Sequence, residues 1–203
     1  MEFSFHLYNK LAADGAAMAL DKLLNADLRR KEQKTKGAGT SSSTFSPPPP
    51  VVVCIGSDLA IGDSLGPIVG SMLKYKTQGL NIFLYGTLAA PVTAKEIKYI
   101  RTFLKETHKG SQIVAVDAAV GDKGDIGLIK LSDTPLLPGA GANKQLGAVG
   151  DISVMGIVAE KSLTNYGLLN TTRLNLVYSM SEIISDALAA LLWNREGKQA
   201  KNA

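Results

Sequence analysis

A chain of 203 residues, 45% of them hydrophobic, is long enough for one ordinary domain with a substantial core. It has no uninterrupted apolar stretch of bilayer-spanning length, and Met1-Glu2-Phe3-Ser4-Phe5-His6 lacks the charged-then-apolar order of a signal peptide, so a soluble cytoplasmic protein is expected. The net charge of +4 invites a nucleic-acid reading, but the excess is local (Arg29, Arg30, Lys31, Lys34, Lys36), and aromatics are only 6% and not interleaved with it, so no stacking platform for single strands exists.

Residues 7 to 31 read as an amphipathic helix, with Leu7, Leu11, Met18, Leu24 and Leu28 on one broad face and Gly15 weakening it. A Gly/Ser-rich stretch and four prolines, 47 to 50, follow. That composition cannot form a packed core and reads as a linker stiffening into an extended segment. From Val51 onward, strands and helices alternate. Val51-Val52-Val53-Cys54-Ile55 is a buried strand ending at Gly56; a polar turn leads to a helix over Leu65 to Tyr75, with Pro67 tolerated in its first turn. The lone cysteine, Cys54, excludes an internal disulfide and a cysteine-cluster metal site, and reads as a small core residue.

Further strands are expected over 81–86, 111–117, 126–131 and 152–158, with helices over 91–106 and 172–194. Continuous apolar strands alternating with helices imply an α/β fold, a mainly parallel sheet covered on both faces. The expected organisation is an N-terminal amphipathic helix (1–35), a linker (36–50), an α/β domain (51–195) and a polar tail (196–203).

Three features could carry chemistry. Asp63 lies at a helix entrance, where it could simply cap the helix. Asp117 ends the run Ile113-Val114-Ala115-Val116, and an acidic residue ending a buried strand is costly unless it is paired, hydrogen-bonded or used. If the first and third of these strands are neighbours, right-handed crossovers bring both aspartates to one crevice at the carboxyl edge. Asp58 is a third acidic group there, better suited to ordering the turn. The third feature is the glycine-rich loop Leu137 to Gly147, in which Gly139, Gly141 and Asn143 allow close backbone approach to a substrate and Lys144 could steady an ionised carboxylate.

Gly62-Asp63-Ser64-Leu65 also spells the GDSL esterase motif, but those enzymes need a histidine base. Only His6 and His108 exist, the first before the linker and the second expected to be exposed at a lysine-flanked helix end. No dinucleotide-binding or Walker glycine spacing occurs.

Cys54-Ile55-Gly56-Ser57-Asp58 followed by Gly62 to Pro67 resembles the motif shared by the spore germination protease and the hydrogenase maturation endopeptidases, and Val116-Asp117-Ala118 resembles their second acidic motif. Pro138 to Lys144 is similar to a glycine-rich segment of the germination protease. Over residues 51 to 194 the best resemblance is to the YyaC-type sporulation proteins. It implies a three-layer α/β/α sandwich of phosphorylase/hydrolase-like type and a peptidase ancestry. It further implies that Asp63 and Asp117 do catalysis on substrates such as small acid-soluble spore proteins, in the forespore or mother cell of a spore former. The hydrogenase-processing relatives bind nickel through the two acidic positions plus a histidine. Here no histidine lies near either motif, so neither a metal nor another cofactor is expected. The expected partner is a protein or peptide substrate, with no membrane; nucleic acid is not favoured, and homo-oligomerisation stays open. Three functional readings follow: an aspartate-dependent peptidase-like hydrolase, a catalytically inactive binding module in sporulation, and metal-dependent processing.

Overall fold

The computed structural model describes residues 1–36, 48–139, 146–161, 169 and 172–202. Most of the expected linker, and Gly141, Asn143 and Lys144, lie outside them. In chain order the elements are β1 (Glu2–His6), α1 (Ala12–Lys36), β2 (Val51–Cys54), α2 (Leu65–Lys76), β3 (Phe83–Tyr85), α3 (Ile97–Thr107), β4 (Ile113–Gly121), β5 (Leu128–Ser132), β6 (Ile152–Glu160) and α4 (Leu174–Asn202). The six strands form one sheet in the order β1-β5-β6-β4-β2-β3. Pairs β6–β4, β4–β2 and β2–β3 are parallel, whereas β5 runs against both its neighbours. The sheet is therefore mainly parallel, with β5 alone reversed.

Alternation of side chains along the strands divides the core in two. Val52, Cys54, Val114 and Val116 face a layer built from α1, α2 and α4, where Leu20, Leu24, Leu65, Leu73, Met180 and Leu188 are fully buried. Val51, Val53 and Ala115 face α3, meeting Ile97, Ile100 and Leu104. Helices on both faces explain why the central strands carry apolar residues without polar alternation. Each fully buried leucine contributes about 1.5–3 kcal/mol. The architecture is the three-layer α/β/α sandwich expected. By length and composition alone, α4 could cross a bilayer, yet Val177, Met180, Ile184 and Leu188 are buried in the domain core.

Three local expectations need correction. Residues 2–6 form an edge strand antiparallel to β5, and the helix begins only at Ala12. The buried face of α1 is Ala16, Ala19, Leu20, Leu23 and Leu24, whereas Met18 is 75% exposed; the buried alanines are a signal that counting large apolar residues misses. His108 is not exposed. It caps α3, is 7% exposed, and shares a 2.7 Å hydrogen bond between its Nε2 and the Tyr85 hydroxyl, with Phe83 and Phe103 against its ring. The aromatic residues of β3 bury it, and the lysines around it in sequence say nothing of that.

Candidate active site at the carboxyl edge of the sheet

β2 ends because its backbone is diverted. Cys54 is its last residue paired with β4, opposite Val116, and the Ile55 N–H donates to the Val116 carbonyl at 2.7 Å. Gly56 then takes φ +140, a conformation L side chains rarely adopt. The Ser57 N–H, which a continued β2 would offer to the Ala118 carbonyl, donates instead to the Asp63 carbonyl at 3.1 Å. A Cβ on Gly56 would lie 2.1 Å from that carbonyl oxygen, so only glycine lets Asp63 sit there. A Cβ on Gly66 would likewise lie 2.0 Å from the Ile55 carbonyl oxygen; its absence seats α2 against the end of β2.

Asp63 occupies a 3-10 turn, Gly62–Ser64, and is half-buried. It is not the N-cap of α2; Ser64 holds that place, and its Oγ donates to the Ile61 carbonyl at 2.6 Å. Asp117 does not end its strand, as expected, but lies within it: β4 continues to Gly121 beside β6, where Asp117 pairs with Met155. The neighbouring β2 has stopped one register position earlier, so Asp117 sits at the carboxyl edge without ending a strand.

The two aspartates are electrostatic neighbours. Asp117 is 8% exposed. Burial first, and the charge of Asp63 second, push its carboxyl well above the ordinary carboxylate range; the single N–H of Ala118, donating to Oδ1 at 2.8 Å, pulls the other way and does not prevail. A water or carbonyl beside Asp117 would meet a carboxyl whose ionisation is opposed both by burial and by the charge of Asp63.

Residues 37–187, which include both aspartates, match the family described as protein of unknown function (DUF1256). The chain belongs to this family. It is 42% identical over 139 residues to the uncharacterized protein YyaC of Bacillus subtilis (strain 168), a match covering 68% of this chain and 67% of that one. Among solved structures it is similar to the NiFe hydrogenase maturation protease HycI from Thermococcus kodakarensis KOD1, with a TM-score of 0.46 and 19% identity over 71% of this chain and 92% of that one.

Other candidate residues of this family member divide by position. Asp58 is exposed in the loop after β2, where the turn is ordered by Ser57, whose Oγ accepts from the Leu59 N–H at 3.2 Å. Gly139 is half-buried at φ +73 in the turn after Pro138. The esterase reading of Ser64 fails on geometry. His6 lies on the edge strand β1, three strand spacings or about 14 Å from β4 across the sheet. His108 is held by Tyr85 on the α3 face. Among the described residues no cluster of three His, Cys, Asp or Glu side chains occurs. What the sequence reading missed is main-chain machinery: Gly56 and Ser57 hold Asp63, and their signal is a glycine closing an apolar run seven residues before an aspartate.

Proposed function

We propose that this chain is a peptidase-like hydrolase using Asp63 and Asp117 as an acid–base pair on protein substrates. The observation that carries the reading is the burial of Asp117 beside Asp63, with its carboxyl raised by both its burial and that charge. Strongly perturbed carboxyls at the carboxyl edge of a parallel sheet are where chemistry collects. Asp63, half-buried, takes a proton from water as the water attacks a peptide carbonyl, and that proton passes to the amide nitrogen as the C–N bond breaks. Asp117, protonated, donates a hydrogen bond to the carbonyl oxygen. Backbone N–H groups near Gly62 and Gly139 are candidate oxyanion donors. The glycine-rich segment holding Gly139, Gly141, Asn143 and Lys144 is assigned to substrate contact on its composition, and Asp58 to the rim of the site. The resemblance to YyaC-type proteins and the germination protease supports a role in sporulation in the cytoplasm of a spore former, with small acid-soluble spore proteins as the substrate class to test first.

The test is cleavage of a small acid-soluble spore protein by the unsubstituted chain and by Asp63→Asn and Asp117→Asn. Each substitution is expected to lower the rate by about 10²–10⁴-fold while thermal unfolding stays cooperative. Cleavage at the unsubstituted rate by either variant contradicts the pair. Binding of the spore protein with no turnover by any form supports the binding-module reading instead.

A further inference from the structure

We infer that the polypeptide substrate docks as an added β-strand on the part of β4 that extends beyond β2. This deepens the hydrolase reading and rests on it, because it names the form of substrate the site accepts: an extended, unfolded segment, held by its main chain.

Every buried backbone N–H and carbonyl of a strand calls for a hydrogen-bond partner. The Val51 N–H donates to the Gln112 carbonyl and the Ile55 N–H to the Val116 carbonyl, so alternate residues of the β4 segment point their polar groups toward β2. Continuing that alternation, Ala118 and Val120 point the same way. Gly121 points oppositely, and its carbonyl accepts from the Lys161 N–H at 2.7 Å on the β6 side. β6 accompanies β4 to Gly121, but β2 stops opposite Val116. The Ala118 N–H is taken by Asp117 Oδ1. The Ala118 carbonyl and the Val120 N–H and carbonyl have no backbone partner on that side among the described residues. A strand edge with unpaired groups is a template for another extended chain.

This edge begins one residue past Asp117, so a strand laid on it brings its own backbone carbonyls to the carboxyl pair. Side-chain selection would be loose and apolar: the loop pinned by the Ser57–Asp63 hydrogen bond presents Leu59, 92% exposed, and Ile61. Only a segment whose own main-chain groups are free can pair in this way, which makes extended segments the substrate class.

Amide hydrogen exchange in the full-length Asp117→Asn chain tests this, with reduced and alkylated casein as the unfolded probe. In the free chain the Val120 amide is expected to exchange at least tenfold faster than that of Val116, which lies inside the β2–β4 pairing. Saturating casein is expected to slow Val120 at least fivefold and leave Val116 unchanged. Val120→Pro removes the N–H and is expected to weaken casein binding at least fivefold, whereas Val120→Ala keeps the N–H and binds as before. Should the proline variant melt early, the exchange measurement decides alone. Slow exchange at Val120 in the free chain, no casein binding, or binding with Val120 unchanged overturns the proposal. Casein cleavage by the unsubstituted chain is read separately: protection at Val120 without cleavage keeps the docking mode and removes the hydrolase reading. Cleavage without protection does the reverse.

Discussion

The cost and use of Asp117 can be separated by pH. A carboxyl whose folded-state pKa is raised binds more protons in the native than in the unfolded chain between the two values, so stability falls as pH rises through that window. The window opens at the ordinary value of 3.8 and extends well above it. Asp117→Asn removes the ionisation. It is therefore expected to be more stable than the unsubstituted chain at pH 8, with the gap closing toward pH 4. Thermal melts of both forms across this range check it, and a constant gap would place the effect elsewhere. For activity, the pair requires one proton. On the proposed mechanism, cleavage should fall on the basic side as Asp117 ionises. At this scale the sequence was informative for types and poor for surroundings. Asp63 and Asp117 stand out as acids bordering apolar runs, but nothing near His108 in the chain announces the Phe83, Tyr85 and Phe103 rings that bury it. Tyr85→Phe, which leaves the buried imidazole without its 2.7 Å partner, is expected to cost about 1–3 kcal/mol in urea unfolding.

Among the elements, the turn from β2 into α2 is the most constrained. Gly56→Ala would place a methyl 2.1 Å from the Asp63 carbonyl oxygen at φ +140. It is expected to destabilise by about 1–3 kcal/mol or more and to displace Asp63. A variant that keeps both stability and cleavage would show that the turn does not set the carboxylate. Element type was legible wherever period and composition agreed: β2, α2, β4 and β6 all lie where apolar runs and helical spacing put them. Boundaries set by neighbours were not legible. β4 runs four residues past Asp117 because β6 pairs with it as far as Gly121, a long-range fact absent from the local sequence. The strand β1 was missed for a related reason: Glu2–His6 is a short alternating segment whose strand character comes from pairing with β5, 126 positions away at the Glu2–Leu128 separation of starts.

Across the whole molecule, the sheet is closed on one side by chain segments far apart in sequence. β1 covers the β5 edge, the Met1 amino group pairs with Asp133, and α1 packs beside α4. Cys54 lies at 0% exposure in the layer between the sheet and α2, and burial pushes its thiol up. Its alkylation by iodoacetamide is thus expected to track global unfolding, and rapid labelling of the folded chain would contradict a continuous core. The mainly parallel sheet and the helices on both faces were expected from alternation; the β2–β4 pairing, which the sequence left as a condition, brings residues 63 and 117 to one edge. The functional conclusion needs one thing more, that the two carboxyls share a proton. Carbon-13 NMR titration of the aspartate carboxyls measures it directly. The account predicts that Asp117 titrates well above ordinary carboxylates and moves down when Asp63 is replaced by asparagine. A normal Asp117 titration, indifferent to Asp63, would contradict it.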